Sequence, residues 1–127
     1  RSVWENRAID LNMGNVNVIW QADANEFAIR SLLHCSAPST ILNITGPETV
    51  SVRWVAEWYG KFFDKTPVFT GQESPTALLS NATESFKRFG YPSVSLKVMM
   101  EMIGEWVKNA GATLNKPTHF QERDGNY

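Results

Sequence analysis

Few side chains in this sequence could do covalent or acid–base work, and none stands at the spacing such work requires. His34 and His119 are the only histidines and Cys35 is the only cysteine. Two imidazoles and one thiol far apart in sequence make a poor metal set. Cys35 has no activating base in its neighbourhood, so it reads as a small core residue. Asp23, Asn25 and Glu26 gather where an amphipathic stretch begins. Carboxylates there favour a helix start through the helix dipole. The other reading is a polar rim of Trp20, Gln21, Asp23 and Asn25 at a strand-to-helix junction, where open α/β sheets hold ligands. Thr45-Gly46-Pro47-Glu48 is a second such junction, with Thr45, Gly46 and Glu48 as candidate contacts and plain turn chemistry as the alternative. Lys116, His119, Arg123 and Asp124 form a polar run near the end that could bind an anion, dock on a neighbour or simply be solvated.

The elements that must position these residues are legible in outline. Residues 3–9 read as the end of a helix, Asn12–Asn15 as a turn and Asn17–Trp20 as a short strand. Asp23 is placed to cap a helix running to about Cys35. Ala24, Phe27, Ala28, Ser31, Leu32 and Cys35 share one face of it, while Ile29 and Leu33 lie opposite, so the helix should be covered on both sides. Thr40–Ile44 is rich in β-formers and ends at Gly46-Pro47. Ser51 then caps a helix whose Val52, Val55, Ala56, Tyr59, Phe62 and Phe63 keep helical spacing, with Arg53, Glu57 and Lys61 on the wet side at i,i+4. Val68–Thr70 reads as a strand and Gly71–Pro75 as a loop. Asn81–Glu84 has the form of a capping box with Asn in the cap position, and Ala82, Phe86 and Phe89 make the buried stripe before a Gly90 C-cap. Ser95 opens the last helix, with Leu96, Met99, Met100, Ile103, Trp106 and Val107 inward and Lys97, Glu101, Glu105 and Lys108 outward. Gly111 closes it, and residues 114–127 form a polar tail. Of Met99, Met100 and Met102, two fall on the inward stripe, which favours packing over a flexible binding surface.

At 127 residues the chain fits one domain, and 43% hydrophobic content is enough for a core. A net charge of -1 leaves no electrostatic footprint for nucleic acid or an anionic membrane. No apolar run is long enough to span a bilayer. A single cysteine excludes an internal disulfide, so the cytoplasm is the expected compartment. Asn43-Ile44-Thr45 and Asn81-Ala82-Thr83 match the glycosylation acceptor pattern, which chance also produces. The sequence opens on Arg1 with no initiator Met, which fits a piece of a longer protein and equally the removal of a tag.

In order and spacing, several segments resemble the C-terminal, substrate-binding part of the NAD-dependent epimerase/dehydratases, the extended short-chain dehydrogenase/reductase family. Val16–Leu33 is similar to that family's strand leading into an Asp-started helix. Leu42–Phe63 is similar to its strand and helix of the form N-x-T/G-G-x-E-x-x-S-x-x-x-x-A. Leu78–Val107 is similar to its helix ending in Phe/Leu-Gly-Tyr/Trp-x-Pro, followed by a helix opened by Ser-Leu. Gly111–Tyr127, with Lys116-Pro117-Thr118-His119-Phe120, looks like the close of one bacterial branch. The resemblance implies an α/β fragment of about four helices with a few short strands. It implies a small-molecule substrate of the nucleotide-sugar kind, and NAD or NADP in the parent enzyme, held by a missing N-terminal dinucleotide-binding domain. Neither the glycine-rich Rossmann loop nor a Tyr-x-x-x-Lys pair occurs in these 127 residues, so no catalytic residue carries over. Bound metal and cofactor are not expected in this chain alone. Substrate-side roles fall to Trp20, Gln21, Asp23, Asn25, Thr45, Gly46 and Glu48.

Some apolar residues lie off the core stripes. Trp54 points nearly opposite Val55 and Tyr59, Trp58 lies on the flank, and Val98 and Met102 stand off the stripe of the last helix. Two tryptophans one turn apart fit either a wider core or an interface with a missing domain or second subunit. The competing readings are therefore a substrate-binding fragment, a stand-alone interaction module built on the Trp54/Trp58 face, and a small single-domain enzyme lacking any acid/base pair at a useful spacing.

Overall fold

A computed structural model describes residues 1–114, 116, 122 and 123. It is a mixed α/β arrangement of four helices and four two-residue strands, as expected from the sequence. In chain order these are β1 (Ile9–Asp10), β2 (Asn15–Val16), α1 (Gln21–Ser31) running into a 3-10 turn (Leu32–His34), β3 (Val50–Ser51), α2 (Val52–Phe63), β4 (Phe69–Thr70), α3 (Thr83–Phe89) and α4 (Leu96–Lys108). The described residues fall into two compact units. One comprises Arg1–Val16, Val50–Leu78 and Met100 onward, the other Asn17–Thr49 and Leu79–Met99.

The first unit holds both strand pairs. β1 and β4 run parallel, Ile9 opposite Phe69, and β2 and β3 run antiparallel, Val16 opposite Val50. Leu11 and Met13, which follow β1, are fully buried. Ser51 caps α2 as expected, its hydroxyl accepting the Trp54 N–H at 3.2 Å. The helix stops at Asp64, which takes a left-handed conformation (φ 53°), with the Lys65 N–H closing on the Gly60 carbonyl. Ala56 and Gly60 are the buried residues of α2, and its half-buried aromatics stack on one another. Trp58 lies face to face with Phe62 at 5.1 Å, Tyr59 stacks on Phe63 at 5.6 Å, and Trp4 meets Phe63 edge-on at 5.2 Å. The Tyr59 hydroxyl donates to the Met100 carbonyl, and burial pushes its phenol up to about 12. Phe62 rests against Gly104, where a Cβ would come within 2.8 Å of the ring.

In the second unit α1 packs on α3 through Phe27 and Phe89, with ring centroids 5.3 Å apart and both side chains buried. The Arg30 guanidinium sits over the Phe89 ring at 5.0 Å and donates to its carbonyl at 3.0 Å. Gly90 ends α3 at φ 84°, the C-cap expected there.

Several local expectations are corrected. Residues 3–9 make turns rather than a helix, because Asn6 at φ 54° breaks the first turn before the chain extends into β1. Asn17–Trp20 and Thr40–Ile44 lie in no strand, since neither has a ladder partner among the described residues. Trp20, not Asp23, is the N-cap of α1, and Asp23 lies inside the first turn. The capping box of α3 does not form: Ala82, not Asn81, is the N-cap and makes no side-chain cap bond, Asn81 Oδ1 accepts the Thr83 N–H from one residue ahead of the helix, and Glu84 pairs with Lys87 instead of reaching back. Arg53 leaves its helical neighbour Glu57 for Glu73, 2.6 Å away, and covers the Phe69 ring. The α4 core stripe is narrower than its periodicity, with Met99 and Met100 buried but Ile103 and Trp106 exposed. Ile29 and Leu33 on the second apolar side of α1 are also exposed.

Candidate functional site

The residues singled out for a substrate role all belong to the second unit. Its framework is a set of polar contacts that replaces a ladder. Asn17 lies between two loops, its amide nitrogen donating to the Glu48 carbonyl (3.1 Å) and its amide oxygen accepting the Ser80 N–H (2.9 Å). Directly after it, the Val18 carbonyl lies against Gly46. A Cβ at position 46 would stand 2.0 Å from that oxygen. This approach of backbone to backbone brings the end of the 17–20 segment beside the Thr45–Glu48 turn, so two junctions read separately in sequence adjoin in space. Thr45 and Gly46 are buried within the contact, Trp20 is half-buried, and Glu48 is exposed.

On α1, Gln21 and Asn25 are exposed one turn apart and bonded to each other, Nε2 to Oδ1 at 2.9 Å. Amides of this kind both donate and accept, which suits hydroxyl-bearing ligands. Asp23 points the other way. It is buried, with one carboxylate oxygen accepting the Ser93 hydroxyl at 2.6 Å and the other the Val94 N–H at 3.1 Å. Burial by itself would raise its pKa, but the hydrogen bonds from Ser93 and the backbone of Val94 and Ser93 outweigh it and hold the carboxyl below its ordinary range. Asp23 is thus a fastener between α1 and the Ser93–Val94 turn.

The sign of its pH effect follows. The folded pKa lies below the unfolded value, so the stabilisation is complete above about pH 4 and is lost as pH falls through the folded pKa. Replacing Asp23 with asparagine should cost about 2 kcal/mol at neutral pH, the worth of hydrogen bonds to a charged acceptor. Urea melts of D23N and the parent chain should differ at pH 7 and converge in acid; a constant difference would refute this assignment.

Three polar residues escaped the sequence reading although a signal was present. Asn43 and Asn81, noted as acceptor-pattern asparagines and Asn81 also as a helix cap, join two loops: the Asn43 amide donates to the Asn81 carbonyl at 3.0 Å. Ser85, fully buried in α3, donates to the Asn43 carbonyl at 2.6 Å. A serine on an apolar helical stripe was the available sign.

Other candidates disperse. His34 lies against the Phe89 ring and Cys35 is exposed. No cluster of three potential metal ligands exists among the described residues. Lys116 is exposed, while His119 and Asp124 lie outside the described residues. Arg123 is committed to its own unit, donating to the Asn12 carbonyl and to both the carbonyl and hydroxyl of Thr76. A cavity of about 210 Å³ in the first unit is lined by Arg1, Trp4, Glu5, Val107, Ala110, Gly111 and Thr113, and includes none of the expected substrate residues. Trp54 is 48% exposed on α2, whereas Trp58 is half-buried in the aromatic stack. Val98 and Met102 are exposed on α4. No described helix is long and apolar enough to cross a membrane.

Among the described residues, neither strand-to-helix junction presents a glycine-rich phosphate cradle. The tight glycine at Gly46 faces the Val18 carbonyl, an acceptor that would repel phosphate, and α1 starts at Trp20 without a glycine loop.

No known family's model matches the chain, and no curated protein matches it. Its fold is similar to the crystal structure of UDP-glucuronic acid 4-epimerase from Bacillus cereus in complex with NAD, with a TM-score of 0.63 and 16% identity over 89% of this chain. The likeness spans 38% of the epimerase chain. The chain therefore shares the α/β fold of part of an epimerase, over well under half of that enzyme's length.

Proposed function

We propose that the chain is the C-terminal, substrate-binding portion of an NAD(P)-dependent nucleotide-sugar epimerase/dehydratase-like oxidoreductase of the extended short-chain dehydrogenase/reductase kind, inactive alone. The observation that carries this reading is the fold likeness, which takes in nearly all of this chain and a minor part of the epimerase. The order of sequence motifs across residues 16–107 supports it independently. In this reading Gln21 and Asn25 offer amides to a sugar or nucleotide, Trp20 offers an apolar face, Glu48 is the exposed member of the adjoining turn, and Thr45 and Gly46, buried against the 17–20 segment, hold that turn in place. Asp23 is a positioning residue, because its carboxylate is taken up by Ser93 and Val94. Hydride chemistry belongs to NAD or NADP on the separate dinucleotide-binding domain.

The test is made on the protein from its native cell, captured by an antibody to this region. A mass well above 14.3 kDa, peptides carrying a glycine-rich loop, and saturable NAD(H) binding are expected. The 127-residue chain alone should show no saturable NAD(H) binding by calorimetry, and an affinity there would overturn the division of labour. A native product near 14.3 kDa would favour the second reading, a stand-alone interaction module, which the exposure of Trp54 supports. Trp58, Val98 and Met102 are the other residues that module would use.

A further inference from the structure

The cavity of about 210 Å³ in the first unit has no part in the reading above, and bonds fix its walls. One wall is the turn at the start of the chain, closed by the Glu5 N–H on the Arg1 carbonyl (3.0 Å) and the Arg7 N–H on the Ser2 carbonyl (2.8 Å). The other is the end of α4. There Ala110 takes a left-handed conformation (φ 54°), and the Ala110 and Gly111 N–H groups close on the Val107 and Trp106 carbonyls. The Trp106 indole folds onto Gly111, where a Cβ would stand 2.2 Å from the ring, and its N–H donates to the Ala112 carbonyl at 3.1 Å. The Arg1 guanidinium ties the two walls, with Nε on the Glu5 carboxylate and Nη1 on the Thr113 hydroxyl, each at 2.6 Å. The space is therefore framed rather than left by loose packing.

Its chemistry is amphiphilic. Trp4 and Val107 supply apolar surface, and Arg1, Glu5 and Thr113 supply polar groups. Glu5 is paired with both Arg1 and Arg7, and the bond from Arg1 holds its carboxyl below the ordinary range. The Lys65 ammonium stands 4.9 Å over the Trp4 ring. Three cations against one carboxylate make this corner positive in a chain whose net charge is -1. The negative end of the α4 dipole opposes that field, but its Trp106 and Val107 carbonyls are already bonded. A guanidinium fork matches a carboxylate, and an indole takes an aromatic ring stacked or edge-on. A dry cavity of about 150 Å³ admits a benzene ring. The space here therefore holds a ring together with a carboxylate.

We propose that this cavity is a binding site for a small aromatic carboxylate, its ring against Trp4 and Val107 and its carboxylate at Arg1 and Thr113. The site is separate from the epimerase-like reading and does not rest on it.

Benzoate is the probe, titrated into the 127-residue chain with amide and indole NMR shifts as the readout. One saturable site is expected, with a Kd on the order of 1 mM for so small a ligand. The Trp4 indole N–H and the Gly111 and Thr113 amides should shift, and Gln21 and Asn25 should not. Benzamide, of the same shape without the charge, should bind about tenfold more weakly, and so should benzoate to Arg1→Gln. Failure of benzoate to saturate, or shifts confined to other residues, overturns the site. Equal binding of benzamide, or tighter binding of benzylamine, overturns the anion as its ligand. Val107→Phe fills the space and should abolish binding. If circular dichroism shows that variant unfolded, Thr113→Val at an exposed position replaces it and should weaken benzoate severalfold; unchanged affinity in the folded variant overturns the proposal. The native protein should bind benzoate as the chain does, and loss there means that another segment fills the cavity and also overturns it. None of these outcomes depends on NAD(H) affinity.

Discussion

Replacing Phe27 with alanine should destabilise the chain by about 3–5 kcal/mol, the range for removing a buried aromatic ring. Phe27 is 3% exposed and meets Phe89 at 5.3 Å, in the contact that joins α1 to α3. The loss exceeds the area term because the space is not easily refilled. Arg30 is held over the far ring by its bond to the Phe89 carbonyl and its pairing with Glu26, and neither can move in to close a void. Total stabilities of domains this size are about 5–15 kcal/mol, so one substitution removes a large share. Phe27→Leu, which keeps most of the volume, should cost much less. Urea denaturation monitored by far-UV circular dichroism compares the two; equal costs would mean that volume at this contact is not what holds the second unit together.

How much of this was legible depends on where each signal resides. α2, α3 and α4 could be read because their cues are local: the Ser51 cap, the Gly90 stop and 3.6-residue periodicity. β4 followed from Pro67 and β-branched composition. The α1 start was misplaced because Asp23 has two possible uses. As a cap it would hold its own helix, but in the fold it is buried against Ser93 and Val94, some 70 residues on, which no local pattern announces. Arg53 failed for the same reason, since Glu73 outcompetes a helical neighbour. Thr40–Ile44 and the exposed strip of α1 are a different case. Their composition states the environment they suit, and the described chain does not contain that environment. At the candidate site, the residue types at the two junctions were legible, while their adjacency was not. It depends on Asn17 and on the contact at Gly46.

That contact gives the second large effect. Gly46→Ala places a Cβ 2.0 Å from the Val18 carbonyl oxygen. The clash is with backbone, so no rotamer change relieves it. Either the 17–20 segment or the Thr45–Glu48 turn must shift, and the Asn17 bonds to Glu48 and Ser80 resist that shift. The cost should be about 3 kcal/mol, at the upper end of overpacking penalties. Gly90→Ala provides the contrast, because no atom lies within 4 Å and only the positive φ of 84° opposes a side chain. With ψ at -175° this is backbone that glycine alone adopts readily, so the strain should cost about 1–3 kcal/mol without any steric clash. Amide chemical-shift maps separate the two further. G46A should perturb residues 17–20 and 45–48 together, and G90A only the end of α3. If the native protein binds its substrate at this junction, G46A should weaken substrate binding while leaving NAD(H) affinity intact, whereas G90A should change neither. Loss of both affinities in G46A would mean that the glycine supports the whole fold rather than this junction.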